Sequence, residues 1–112
     1  MTVAQVGGTW TLTSIQPAEH AEEAAPASTV YSLTLDGNRV SSQVDCNRCA
    51  GLLTLDGNTL TLGPALACTR AACRTMAFES AYLKLLGGES QAIVESNTLT
   101  LSSSRGVLRF RR

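Results

Sequence analysis

Ser32-Leu33-Thr34-Leu35-Asp36-Gly37-Asn38-Arg39-Val40 returns twenty residues later as Leu52-Leu53-Thr54-Leu55-Asp56-Gly57-Asn58-Thr59-Leu60-Thr61-Leu62. A weaker copy is Ile93-Val94-Glu95-Ser96-Asn97-Thr98-Leu99-Thr100-Leu101. Leu and Thr alternate, so Leu falls on one face of an extended chain and Thr on the other. That pattern describes an antiparallel sheet with one face in the core. Asp-Gly followed by Asn tolerates the positive φ of a tight hairpin turn. The repeat is too short for a solenoid and reads as a hairpin reused in a meander.

Working outward, the same reading predicts eight strands: Thr9–Ile15, Val30–Leu35, Arg39–Val44, Leu52–Leu55, Thr59–Leu62, Ala92–Glu95, Thr98–Ser102 and Val107–Arg111. The expected inward residues are Trp10, Leu12, Tyr31, Leu33, Leu35, Val40, Leu53, Leu55, Leu60, Leu62, Leu99, Leu101, Leu108 and Phe110. Residues 16–28 carry Pro17 and Pro26 among Ala and Glu and read as a loop or a short frayed helix. One stretch has a different rhythm. Phe78, Tyr82, Leu85 and Leu86 form a stripe that predicts a helix over 75–86. Thr75 is placed to cap its start, Glu79 lies near its positive end, and Gly87-Gly88 stops it.

The chain has 112 residues, which predicts a single domain over 1–112. With two Phe, two Tyr and one Trp, its core must be mainly aliphatic. Nine acidic and nine basic residues balance to zero, which argues against nucleic acid, where phosphate contacts need a basic excess. The charge is uneven: Glu19, Glu22, Glu23 and Asp36 lie early, and Arg105, Arg109, Arg111 and Arg112 close the chain. These arginines read as a solvated strand face and tail rather than a binding patch. No apolar run is long enough to span a membrane. Met1 leads into Thr2-Val3-Ala4-Gln5 without the marks of a leader, so an exported form is expected to have had its leader removed and any membrane anchoring is expected to come through that leader.

Four cysteines fall in two pairs, Cys46/Cys49 and Cys68/Cys73, on either side of the second hairpin. A four-thiolate zinc site is one reading of the spacing, although the loops lack the small glycine knuckles such sites favour. A redox pair is another, but it needs Cys-x-x-Cys opening a helix, whereas Cys46 and Cys49 lie between antiparallel strands. Two disulfides are the reading preferred here, and they imply an oxidising compartment. Three connectivities exist. The returning hairpin favours Cys49 facing Cys68, with Cys46 and Cys73 outside them; the outer bond would contribute about 3–4 kcal/mol by restricting the unfolded chain.

Other chemistry is sparse. His20, the single histidine, sits in a polar loop with no nucleophile in a motif beside it. Asp36, Asp45 and Asp56 invite an acid–base reading, but Asp36 and Asp56 are turn residues by the repeat. Asn47 and Thr69, each next to a cysteine, are expected to fix loop backbone by side-chain hydrogen bonds.

Gly8-Thr9-Trp10-Thr11-Leu12, Cys46-Asn47-Arg48 with Gly51, and the run Leu62-Gly63-Pro64-Ala65-Leu66-Ala67-Cys68-Thr69-Arg70-Ala71-Ala72-Cys73 together resemble the META/HslJ-like domain family. So do the helix with Glu79, Tyr82 and Leu83 and the closing Leu99-Thr100-Leu101 and Gly106-Val107-Leu108-Arg109-Phe110. The resemblance covers nearly the whole chain. It implies an α+β fold, a strongly curved and almost barrel-like antiparallel sheet packed by one helix. The positions matching the family's recurring residues are Trp10, Cys46, Asn47, Gly51, Thr69, Cys73 and Glu79. Cys49 and Cys68 are an additional pair, and Arg74 stands where proline often follows the second cysteine. Members are often bacterial envelope proteins or lipoproteins, some associated with heat shock, novobiocin tolerance, secretion or virulence-related motility. No enzyme activity or cofactor comes with the resemblance. The expectation is an exported, periplasmic or outer-membrane-anchored monomer, an accessory or interaction module with a protein partner in the envelope. The alternatives are a carrier of an apolar ligand between sheet and helix, and a zinc or thiol-redox protein.

Overall fold

The repeated hairpins are β3 (Tyr31–Asp36) with β4 (Arg39–Val44), β5 (Asn47–Asp56) with β6 (Thr59–Leu62), and β8 (Gly88–Glu95) with β9 (Thr98–Ser103). Each turns in two residues, the first at positive φ: Gly37 at 61°, Gly57 at 60° and Ser96 at 54°. The structure is a computed structural model that describes residues 3–112. The remaining elements are α1 (Val3–Val6), β1 (Gly8–Pro17), β2 (Glu23–Ala24), β7 (Ala67–Cys68), α2 (Met76–Leu86) and β10 (Gly106–Arg111).

Strands β1-β3-β4-β5-β6-β8-β9-β10 pair antiparallel in that order, and β10 pairs back onto β1. The curved sheet expected from sequence is therefore a closed eight-stranded barrel. Closure removes the open sheet edges that invite aggregation. An eight-stranded barrel has an interior just wide enough for side chains to fill. Two short strands lie off the barrel, β2 on β1 and β7 on β5. Residues 16–28 therefore contain no helix. Glu23 and Ala24 instead pair with Ile15 and Ser14 of β1.

The alternation fills the barrel as expected. Trp10, Leu33, Leu60, Leu99, Leu101, Leu108 and Phe110 are wholly buried, and all other expected inward residues except Leu55 join them. Leu55 is half-buried. The register of β1 against β10 slips between Leu12 and Ser14, which shifts the inward phase and buries Ile15.

Helix α2 lays Phe78, Tyr82, Leu85 and Leu86 against the barrel. Tyr31 meets Phe78 and Tyr82 edge-on at 5.0 and 5.5 Å, and Tyr82 meets Phe110 at 6.4 Å. The Ser42 hydroxyl donates to Ser32 O, so the Tyr82 hydroxyl, 2.8 Å away, donates to Ser42. Burial pushes the Tyr82 phenol far above the ordinary tyrosine value.

That shift has a sign. A raised folded-state value gives stability that is complete below about pH 10, the unfolded value, and is lost as pH rises toward the folded one. Tyr82 should therefore cost about 1.4 kcal/mol of stability per pH unit above pH 10. Urea titrations between pH 8 and 11.5 should show that decline, and Tyr82→Phe should lose this part of the slope, with about 1 kcal/mol lost at neutral pH for the missing hydrogen bond. A phenylalanine variant with the same alkaline slope would refute the assignment.

Three of the closing arginines, Arg105, Arg109 and Arg112, are structural ties beyond the solvated face and tail expected from sequence, and Arg111 is exposed as expected. The Arg112 guanidinium lies 4.1 Å from the Trp10 ring centroid and donates to Gly7 O and Gln5 O. Arg109 pairs with Glu22, holding the loop before β2 against β10. Arg105 donates to the carbonyls of Lys84, Leu85 and Glu89 around the end of α2.

Candidate functional site

All four sulfurs are joined, Cys46 to Cys73 and Cys49 to Cys68. The inner bond crosses directly paired residues of β5 and β7. The outer one runs from the turn between β4 and β5 to the residues just ahead of α2. Every sulfur is therefore committed to another sulfur, and the zinc alternative loses its thiolate ligands.

The two bonds draw segment 66–74 across the barrel wall, and Gly51 makes room for it. A Cβ at Gly51 would lie 2.8 Å from the Leu66 side chain and 3.2 Å from Ala65 O. Backbone bonds continue the attachment: Thr69 N donates to Arg48 O, and Arg48 N to Thr69 Oγ1.

Asn47 is the node of this region and is 2 % exposed. Its Oδ1 accepts from Thr69 Oγ1 at 2.9 Å and Ala71 N at 2.8 Å. Its Nδ2 donates to Ala71 O and to Glu79 Oε1, both at 2.9 Å, with Cys73 Sγ 3.2 Å away. Five positions noted in sequence, Cys46, Asn47, Thr69, Cys73 and Glu79, are thus one connected cluster. Trp10 stands outside it, in the core with its Nε1 donating to Val6 O.

The start of α2 differs from the sequence reading. Thr75 makes no capping bond to the helix. Its hydroxyl and its amide both donate to Asp45 Oδ2, at 2.7 and 2.9 Å, and the hydroxyl also meets Tyr31 at 2.8 Å. Asp45 thus supplies the negative charge at the helix start. Glu79 turns inward to Asn47 rather than serving the helix end. Asp36 and Asp56 end strands at the hairpin turns, as the repeat implied.

Between segment 66–71 and α2 lies a groove of about 370 Å³, with Leu66, Met76 and Leu83 as apolar walls and Asn47 and Glu79 lining it. Met76 is 52 % exposed at its rim. A wider depression of about 850 Å³ separates the 17–23 loop from the outer face of α2. His20 and Lys84 line it, so the histidine faces this depression and does not join the cysteine cluster.

The model of the META domain matches residues 2–112. The chain belongs to the META domain family. A similar solved structure is an NMR structure of a protein from Burkholderia xenovorans, 25% identical, with a TM-score of 0.79 over 98% of this chain and 85% of that one. A second solved structure, also by NMR, is 21% identical with a TM-score of 0.74, covering 99% of this chain and 94% of that one. No curated protein matches. The Cys49–Cys68 bond of this META domain was legible as a pair of cysteines. The Asn47–Glu79 contact spans thirty-two residues and was not legible in the sequence, which marked the two positions only separately, as matches to the family's recurring residues.

Proposed function

We propose that this META domain is an exported, non-enzymatic module, stapled by its disulfides, that serves the bacterial envelope as an accessory or interaction domain. The observation that carries the reading is the pair of bonds Cys46–Cys73 and Cys49–Cys68, which need an oxidising compartment to form and persist. They fix a surface segment to a closed barrel, which suits a domain that presents a preformed face to a partner. No helix among the described residues is long and apolar enough to cross a membrane. Attachment to the outer membrane, under this reading, comes through a leader or anchor outside the barrel.

The packing does not favour a carrier with an apolar cargo inside. The space between sheet and helix holds Tyr31, Phe78, Tyr82 and Phe110 in mutual contact. A redox cycle is not favoured either, since opening the outer bond would free the segment whose Thr69 and Ala71 satisfy Asn47.

Cell fractionation with acid quenching and thiol alkylation tests the reading. The protein should be found in the envelope fraction with none of its four cysteines alkylated before reduction. A cytosolic protein with four alkylated thiols would refute it.

A further inference from the structure

Glu79 is 7 % exposed, yet among the described residues the only hydrogen-bond partner of its carboxylate is the neutral amide of Asn47. A buried carboxylate normally has a cation beside it, because desolvating an unpaired charge is costly. Among the described residues the one ion pair is Arg109–Glu22, so Arg70, on the rim of the same groove, forms none with Glu79. One carboxylate oxygen is held by Asn47. The other has no hydrogen bond among the described residues, and the residue lines the groove.

We propose that this groove takes a lysine side chain from a partner protein, with the lysine ammonium on Glu79 and its methylene stem between Leu66, Met76 and Leu83. The proposal rests on the reading of the domain as an interaction module and names the chemistry of its partner. Three features select lysine. The charge at the groove floor is negative and lacks a counter-charge. The walls are apolar, which fits a four-carbon stem ending in a cation. Only one carboxylate oxygen is open, which matches a compact ammonium better than the two-pronged guanidinium of arginine. An ethanolamine headgroup fits less well, since its two-carbon stem would cover less of the apolar walls than the four-carbon stem of lysine. Met76, half out in solvent at the rim, is the kind of adaptable apolar surface that partner contacts cover. The disulfides enter the same account, because they anchor Cys68 and Cys73 on either side of Thr69, Arg70 and Ala71, which form part of one wall.

The test is an amide chemical-shift titration of the oxidised, full chain with N-acetyl-lysine methylamide. Saturable shifts are expected at Ala71, Ser80 and Leu83, with a dissociation constant on the order of 1 mM for so small a probe. The norleucine analogue, which keeps the stem and lacks the charge, should give no saturable shift. Glu79→Gln retains an acceptor for Asn47 and should bind lysine at least tenfold more weakly. Met76→Lys, at an exposed site three residues before Glu79, places an ammonium on the same helical face and should abolish the response even if the glutamine variant folds poorly. No saturable shift with lysine, equal binding of the norleucine analogue, or unchanged binding by either variant would overturn the proposal. Binding of blocked arginine or phosphoethanolamine as tightly as lysine would overturn the choice of lysine. The titration does not depend on where the protein resides, so its failure leaves the exported-module reading standing. Reduced thiols in the cell would sink that reading without touching the titration.

Discussion

Asn47→Ala should lower the unfolding free energy by about 3–5 kcal/mol with both disulfides intact. The amide side chain meets four polar partners at 2.8–2.9 Å: Thr69 Oγ1, Ala71 N, Ala71 O and Glu79 Oε1. An asparagine has two amide hydrogens and one carbonyl oxygen, so these partners use its full donor capacity and both lone pairs. Alanine removes all four bonds at once. Each partner left dry costs about 1–3 kcal/mol, and the Glu79 carboxylate costs most because it carries charge. Water entering the vacated space will recover part of this, which keeps the total below the simple sum. Asn47→Asp is a sharper control. It preserves shape and both acceptor roles, but it cannot donate to Ala71 O, and it sets a second carboxylate against Glu79. At neutral pH it should be at least as damaging as alanine. Urea unfolding without reductant measures both variants. A loss below 1 kcal/mol for alanine, or an aspartate variant close to wild type, would show that the disulfides alone hold segment 69–73 and that the amide is incidental.

The same residue shows why part of this fold was hidden. The eight barrel strands were legible because Leu, Ile, Val and the aromatics mark one face at period two. The start of β5 also alternates: Asn47 buried, Arg48 exposed, Cys49 buried, Ala50 exposed. Its inward residues are an asparagine and a cysteine, which a hydrophobicity pattern reads as loop. The strand was therefore expected to begin at Leu52, five residues later than Asn47, where it begins. Strand β7 was missed for a related reason. Ala67 and Cys68 are strand only because they pair with Ala50 and Cys49, and two residues carry no period of their own. The missed pairing of Glu23 and Ala24 to β1 has the same origin.

The helix was placed correctly because Phe78, Tyr82, Leu85 and Leu86 mark its buried face. Its polar contacts were not. Thr75 looks like a cap in sequence, but Asp45 lies thirty residues away and takes both its hydroxyl and its amide. Long-range polar pairs leave no periodic trace. The closing arginines were likewise legible as charges but not as partners of Trp10, Glu22 and the end of α2. For the candidate groove, the family's recurring positions marked Asn47 and Glu79. Its walls, Leu66, Met76 and Leu83, were visible only once α2 was seen beside segment 66–71.

Gly106→Ala should cost about 3 kcal/mol or more and slow the closure of the barrel. Gly106 opens β10 and pairs with Pro17 at the end of β1, at the seam where the sheet meets itself. Its φ is +143°, a region that residues with a Cβ rarely adopt. Space is as restrictive as conformation. A Cβ there would lie 2.3 Å from Gln16 O and 2.9 Å from Pro17 Cα, both backbone atoms, and 2.8 Å from a Leu85 methyl of α2. The leucine can rotate away, but the β1 backbone cannot move without opening its ladder to β10. Three consequences follow together: a strained φ, displaced strand pairing and a disturbed contact between α2 and the seam. Neither disulfide lies near this register, so the covalent bonds cannot compensate locally. Amide exchange separates this mechanism from a general loss of stability. Protection should fall first for Leu108 and the β1 residues that pair with it, while amides of the β3–β4 hairpin stay protected longer. Uniform loss across the barrel, or a variant within 1 kcal/mol of wild type, would mean that the seam tolerates a side chain and that its close packing has been overstated.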